Sequence, residues 1–161
     1  MENVFLLLGV NLGDRIQQLA RARTSISQHI GPIVEGSQLY ETDAWGKEDQ
    51  PRFLNQVVKV NTTKSARRVL ELIQEIETAL GRVREVRWDA RLIDIDILFY
   101  GKAIIDERDL QIPHPLLPQR RFALVPMNEI APEWMHPVLN QQIAEILEQT
   151  DDRLEVTPIL N

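Results

Sequence analysis

Residues Arg91–Gly101, RLIDIDILFYG, set two carboxylates into an apolar run with the composition of a β-strand. Successive side chains of a strand face opposite ways, so Ile93, Ile95, Ile97 and Phe99 fall on one side and Asp94, Asp96, Leu98 and Tyr100 on the other. The first face reads as core. At a rise of about 3.3 Å per residue, the second holds its two acids roughly 6–7 Å apart at Cβ. Such anions repel, and burying either one unpaired costs several kcal/mol, so a cation is expected between them.

Immediately upstream, GRVREVRWDAR (Gly81–Arg91) carries four arginines in eleven residues. Cations in the last turn of a helix favour its macrodipole by about 0.3–1 kcal/mol, a reading that suits Arg82. Arg84, Arg87 and Arg91 lie beyond the helix-stopping Gly81, where a forked anion such as phosphate is the better partner. The segment has no continuous apolar stripe, and the expectation is a lid that closes when an anion arrives. Before it, Ser65 reads as the N-cap of a helix, ARRVLELIQEIETAL, with its core stripe at Val69, Ile73, Ile76 and Leu80. Gln74 and Glu77 share a face off that stripe. They suit the edge of a purine or ribose, although a solvated helix face is the commoner reason for such a pair.

Towards the N-terminus, VFLLLGV reads as a buried strand. NLGDRIQQLARARTSISQHIGP follows as a helix with Ile16, Leu19, Ile26 and Ile30 inward, stopped by Gly31 and Pro32. VEGSQLYET and FLNQVVKVNT have strand composition and bracket a polar loop, DAWGKEDQPR, too long for a tight hairpin. Beyond the acid strand come a turn at Gly101-Lys102, a short strand AIID, the proline-rich IPHPLLPQRRF, a short helix broken near Pro126, and a further helix in NQQIAEILEQ. The tail EVTPIL reads as an edge strand, where Pro158 is tolerated. The order β-α-β-β-α-β predicts an α+β, ferredoxin-like α/β sandwich, with a mainly antiparallel sheet covered by helices on one face.

With 161 residues, one domain spanning 1–161 is expected, large enough to bury a full core without staples. Cysteine is absent, which excludes a disulfide framework and a thiolate metal site. The apolar run Val4–Leu8 is too short for a signal peptide or a membrane span, so a cytoplasmic protein is the default. A net charge of −6 argues against a general nucleic-acid or anionic-membrane binder, which needs a broad positive field. The arginine cluster is instead a local anion site in an acidic chain.

Two aspartates on one strand face suit magnesium, which takes hard oxygen ligands and commonly shares them with substrate phosphates. The alternatives are a solvated acid pair or an ion pair with Arg91. His114, between Pro113 and Pro115, is either a positioned imidazole or a turn residue. Phe53 and Phe122 read as core from spacing alone, and Trp45 stays open.

Taken together, LGVNLGD, YETDAWGKEDQPRFLNQV, IETALGRVR, RLIDIDILFYG and IPHPLLPQRRFALVPMNEIAP resemble, in order and spacing, the 6-hydroxymethyl-7,8-dihydropterin pyrophosphokinase family of the folate pathway. The resemblance covers nearly the whole chain. It implies transfer of the pyrophosphoryl group of ATP to the pterin hydroxymethyl oxygen, with release of AMP and two magnesium ions at Asp94 and Asp96. It assigns Gln74, Glu77, Arg82, Arg84, Arg87, Trp88, Arg91, Ile97, His114 and Arg120 to the nucleotide, with Arg82, Arg84 and Arg91 as the catalytic cations. Thr42, Asp43 and Trp45 match the stretch whose backbone faces the pterin. Asn55 matches its amide partner, and Phe53 and Phe122 match two rings that sandwich it, which reverses the core reading of the phenylalanines. A monomer is implied. Val10 stands where many members have Ser, and WDAR replaces the WGPR of some members, in a loop one residue shorter than theirs.

Overall fold

The first strand, β1 (Glu2–Val10), decides the architecture, because Val4, Phe5, Leu6, Leu7 and Leu8 are all buried, whichever way they point. A strand apolar on both sides needs cover on both sides. The computed structural model describes residues 1–43, 52–81 and 93–159. In it β1 is central: it pairs antiparallel with β4 (Phe53–Thr62) on one side and with β5 (Asp94–Tyr100) on the other. Two short strands, β2 (Ile33–Gly36) and β3 (Tyr40–Thr42), share the far edge of β4, and β8 (Thr157–Pro158) pairs with β3. The order β5-β1-β4-β3-β8 is that of a split βαβ sheet with an added edge strand.

The helices α1 (Arg15–His29) and α2 (Ala66–Gly81) cover the face carrying Val4, Leu6 and Leu8. The opposite face, with Phe5, Leu7, Val57 and Phe99, is covered by α3 (Arg121–Ile130) and α4 (Ile143–Gln149). The expectation of helices on one face is therefore corrected. Sequence order hid the second layer, since α3 and α4 follow the sheet rather than alternating with its strands.

The predicted start of the second helix holds, while the first helix begins at Arg15 rather than at Asn11. Asp14 caps α1 by accepting the Gln17 N–H at 3.1 Å, and Ser65 caps α2 through the Arg68 N–H at 3.2 Å. The stripe Val69, Ile73, Ile76 and Leu80 is buried as expected. In α1 the stripe is Leu19, Ala22 and Ile26, and Ile16 is 50% exposed. At 100° per residue Ile16 lies about 120° round the axis from Ala22, too far to share that face. Gly31 ends the helix against β4, where a Cβ would meet the Asn61 carbonyl oxygen at 1.9 Å.

Three further expectations change. Pro126 lies inside α3 without breaking it; its ring is buried beside Leu124 and Met127, and that packing offsets the one lost helical hydrogen bond. The expected AIID strand is shifted to β6 (Ile105–Glu107), which forms a ribbon with β7 (Leu110–Ile112). In β5 the alternation fails after Ile97: Leu6 faces Ile97 and Phe5 faces Phe99, so Leu98 is an inserted bulge residue. Phe99 thereby joins Leu98 on the α3/α4 face, and Tyr100 returns to the isoleucine face. Phe99 then packs edge-on to Phe5 and Trp134, at centroid distances of 6.2 and 6.0 Å.

Candidate active site

The bulge leaves the first half of β5 in the expected alternation, with Ile93, Ile95 and Ile97 buried in the α1/α2 core. Asp94 and Asp96 lie on the other face, in register with Gly9 and Leu7 of β1. On the far side of β1 the same Gly9 is opposite Asn55. Asp94, Gly9 and Asn55 thus form a row across the sheet. A glycine suits this close approach, because a Cβ on Gly9 would stand 3.0 Å from Asn55 Oδ1 and press on that side chain.

This row floors a cavity of about 520 Å³ where β1 and β3 finish and β4 and β5 begin. Thr42, Asp43, Phe53, Asn55, Asp94, Asp96, Arg120 and Phe122 all line it. The size suits a small-molecule ligand. Asn55 is 4% exposed, and its amide nitrogen donates to Thr42 Oγ1 at 3.2 Å, which fixes the side chain. Phe53 and Phe122 are half-buried walls of the cavity, and Phe122 also packs against the α3/α4 core. Asp43 is tied at the rim by Arg52 at 3.0 Å. The Arg120 guanidinium lies 5.4 Å from the Phe122 ring centroid, a cation–π distance that couples the two walls.

His114 stands within electrostatic reach of Asp96 and Arg120. Its N–H donates to the Leu98 carbonyl at 3.0 Å, and its Nδ1 accepts the Leu116 N–H at 3.2 Å. Burial lowers its pKa from 6.5, Asp96 pulls it back up, and Arg120 lowers it again. A neutral ring with Nδ1 as acceptor carries its proton on Nε2, a donor suited to a phosphate oxygen.

Other predicted residues stand apart. Gln74 is exposed and borders a shallow cleft on α2 with Arg68 and Glu75. Glu77 does not lie on a freely solvated face: it is half-buried, and its Oε2 accepts the Ile95 N–H at 2.9 Å. Ile97 has 6% of its surface exposed, lies in the α1/α2 core and does not line the cavity. Trp45, Arg82, Arg84, Arg87, Trp88 and Arg91 lie outside the described residues, as does the expected lid.

A family model described as 7,8-dihydro-6-hydroxymethylpterin-pyrophosphokinase matches residues 5–132. The chain belongs to this family. A 2-amino-4-hydroxy-6-hydroxymethyldihydropteridine pyrophosphokinase of Bacillus subtilis is 42% identical over 132 residues, which are 81% of this chain and 79% of that protein. One from Aquifex aeolicus is 38% identical and covers 90% of both chains. Among solved structures, a Plasmodium falciparum HPPK-DHPS superposes with a TM-score of 0.74 at 20% identity. That match covers 92% of this chain and 43% of the other, and at such identity it speaks for the fold alone.

The pyrophosphokinase family performs diphosphoryl transfer from ATP to hydroxymethyldihydropterin in folate biosynthesis, and this chain is a diphosphotransferase with ATP as co-substrate. No helix among the described residues is long and apolar enough to cross a membrane. The cavity also includes residues that the sequence reading passed over: Leu7, Gly9, Leu116, Gln119, Asp152 and Leu154. Gly9 had a signal, since a glycine interrupting a buried strand marks close backbone approach. Asp152 and Leu154 had none, being far along the chain from every motif.

Proposed function

We propose that the cavity seats the pterin between Phe53 and Phe122, with Asn55 and the Thr42–Trp45 backbone reading its polar edge. The nucleotide phosphates lie over Asp94 and Asp96, and Arg120, His114 and the arginines Arg82, Arg84, Arg87 and Arg91 surround them. Gln74, Glu77, Trp88 and the main chain of Ile97 attend the nucleoside end. The observation that carries this reading is that one cavity joins the acid pair to the aromatic and amide set. A flat polar heterocycle suits two ring faces, and a buried, oriented amide suits its edge.

The donor set fits magnesium. Among the described residues no third His, Cys, Asp or Glu joins the pair, and two carboxylates completed by water and phosphate oxygens make an ordinary site for this ion. Two ions held by Asp94 and Asp96 would neutralise the charge that develops on the transferred group.

In the reaction the pterin hydroxymethyl oxygen bonds to the β-phosphorus of ATP as the bridge to the α-phosphate breaks. AMP leaves, and the hydroxyl proton passes to solvent or a neighbouring base. The protein supplies position and electrostatics: Phe53, Phe122 and Asn55 orient the acceptor, and the cations hold the triphosphate in line. Neutral His114 donates from Nε2, and Arg120 adds a fixed charge beside the stacked ring. The family match over residues 5–132 supports reading residues 1–161 as one pyrophosphokinase domain, and the setting proposed for it is a cytoplasmic monomer.

Calorimetric titration tests the division of the cavity. Hydroxymethyl-dihydropterin should bind with or without magnesium, whereas a non-hydrolysable ATP analogue should lose most of its affinity when EDTA is added. Nucleotide binding indifferent to EDTA would contradict the role given to the acid pair.

A further inference from the structure

Beyond the segment that the family model matches, residues after α4 return to the cavity, where Asp152 and Leu154 form part of its wall. Their contacts explain an oddity in α3. That helix opens on Arg120 and Arg121, has no acid in its first turn, and receives no capping hydrogen bond from its own N-cap side chain. Two cations at a helix start oppose the macrodipole, and the free N–H groups there need acceptors.

Asp152 supplies one from 31 residues away, its Oδ2 accepting the Arg121 N–H at 2.8 Å. Its Oδ1 accepts the Leu154 N–H at 3.0 Å, and Arg121 Nε donates to the Leu154 carbonyl at 3.0 Å. The segment is anchored at both ends. The Thr150 N–H donates to the Ile146 carbonyl in α4, and the Ile159 N–H donates to the Leu39 carbonyl beside β3. It thus runs as a strap from α4, across the first turn of α3, to the strand that carries Thr42.

We propose that this strap sets pterin affinity, with Asp152 as a positioning residue that holds Arg121, and through it the Phe122 ring, against the cavity, and with Leu154 as a wall of the same seat. The inference rests on the pterin seat argued above. Arg120 depends on the strap less, because its own N–H is already taken by the Leu117 carbonyl at 3.2 Å. Loss of the strap contact therefore acts on the pterin and spares the nucleotide.

The test uses the full chain with Asp152→Ala, Asp152→Asn and Leu154→Ala, titrated separately with hydroxymethyl-dihydropterin and with a magnesium-bound, non-hydrolysable ATP analogue. For Asp152→Ala the pterin dissociation constant should rise about tenfold, the scale of a lost helix cap, while that of the nucleotide moves less than about twofold. Asp152→Asn retains one acceptor and should recover part of the loss. Leu154→Ala should show the same split, and it decides the matter if Asp152→Ala does not fold. Unchanged pterin affinity, or nucleotide affinity reduced as much as pterin affinity, overturns the proposal. Wild-type protein that binds no pterin would instead overturn the seat on which it rests.

Discussion

The carboxylate of Glu77 on α2 accepts the main-chain N–H of Ile95, the residue between Asp94 and Asp96, at 2.9 Å. β5 is an edge strand of the sheet, and an edge leaves a row of unpaired backbone groups. Glu77 closes one of them and so fixes the strand end from which both aspartates project. Glu77→Ala should lower stability by about 1 kcal/mol and speed hydrogen exchange at the Ile95 amide, and Glu77→Gln, which keeps an acceptor, should do neither. Equal exchange rates in all three proteins would show that the bond does not hold the strand.

Asp94→Asn and Asp96→Asn remove charge from the proposed magnesium site without changing side-chain shape. Each should fold and lose activity by about a hundred- to thousandfold, the roughly 2.7–4 kcal/mol of one strong electrostatic stabiliser. Thermal stability of the metal-free Asp96→Asn protein should hold or rise, because repulsion within the pair is relieved. Near wild-type turnover at saturating magnesium would make the pair structural.

Phe122→Ala removes one stacking face, worth about 0.5–1.5 kcal/mol beyond its buried area. Pterin affinity should fall while nucleotide affinity stays nearly constant in separate titrations. Phe122 is only half-buried, so a general collapse that weakens both ligands is not expected.

How far the sequence spoke for the structure follows from what each signal depends on. Helix caps and stripes are local, and Ser65 and the Val69–Leu80 stripe were legible because three- and four-residue spacings determine them. The acid pair was legible because two carboxylates among isoleucines contradict burial. The bulge at Leu98 was not, since an inserted residue is defined only against its partner strand, and Phe99 was assigned to the wrong face in consequence. The second helical layer was missed for the same kind of reason: the contacts of α3 and α4 with β1, β4 and β5 span large sequence separations. Phe53 and Phe122 were identified as site residues only through the resemblance, because periodicity cannot tell a cavity wall from core. Asp152 returns to the cavity through tertiary contacts alone.

Burial lowers the pKa of His136 from 6.5, and its Nδ1 accepts the N–H groups of Val138 and Leu139 at 3.2 and 3.1 Å. The unfolded chain therefore binds the extra proton more readily, so this contribution to stability is complete above about pH 6.5 and is lost as pH falls below it. His114 shifts in the same direction. The urea midpoint should fall between about pH 7.5 and about pH 5.5, and His136→Asn, which keeps an acceptor but does not titrate, should show a smaller fall. Parallel pH profiles for the two proteins would contradict this assignment.

Transfer requires that a single cavity hold the acceptor beside the β-phosphate, and the nucleotide product tests this most directly. Protein, magnesium, ATP and hydroxymethyl-dihydropterin should yield AMP and pterin diphosphate in equal amounts, with no AMP when the pterin is left out. ADP as the nucleotide product, or AMP formed without the pterin, would contradict it.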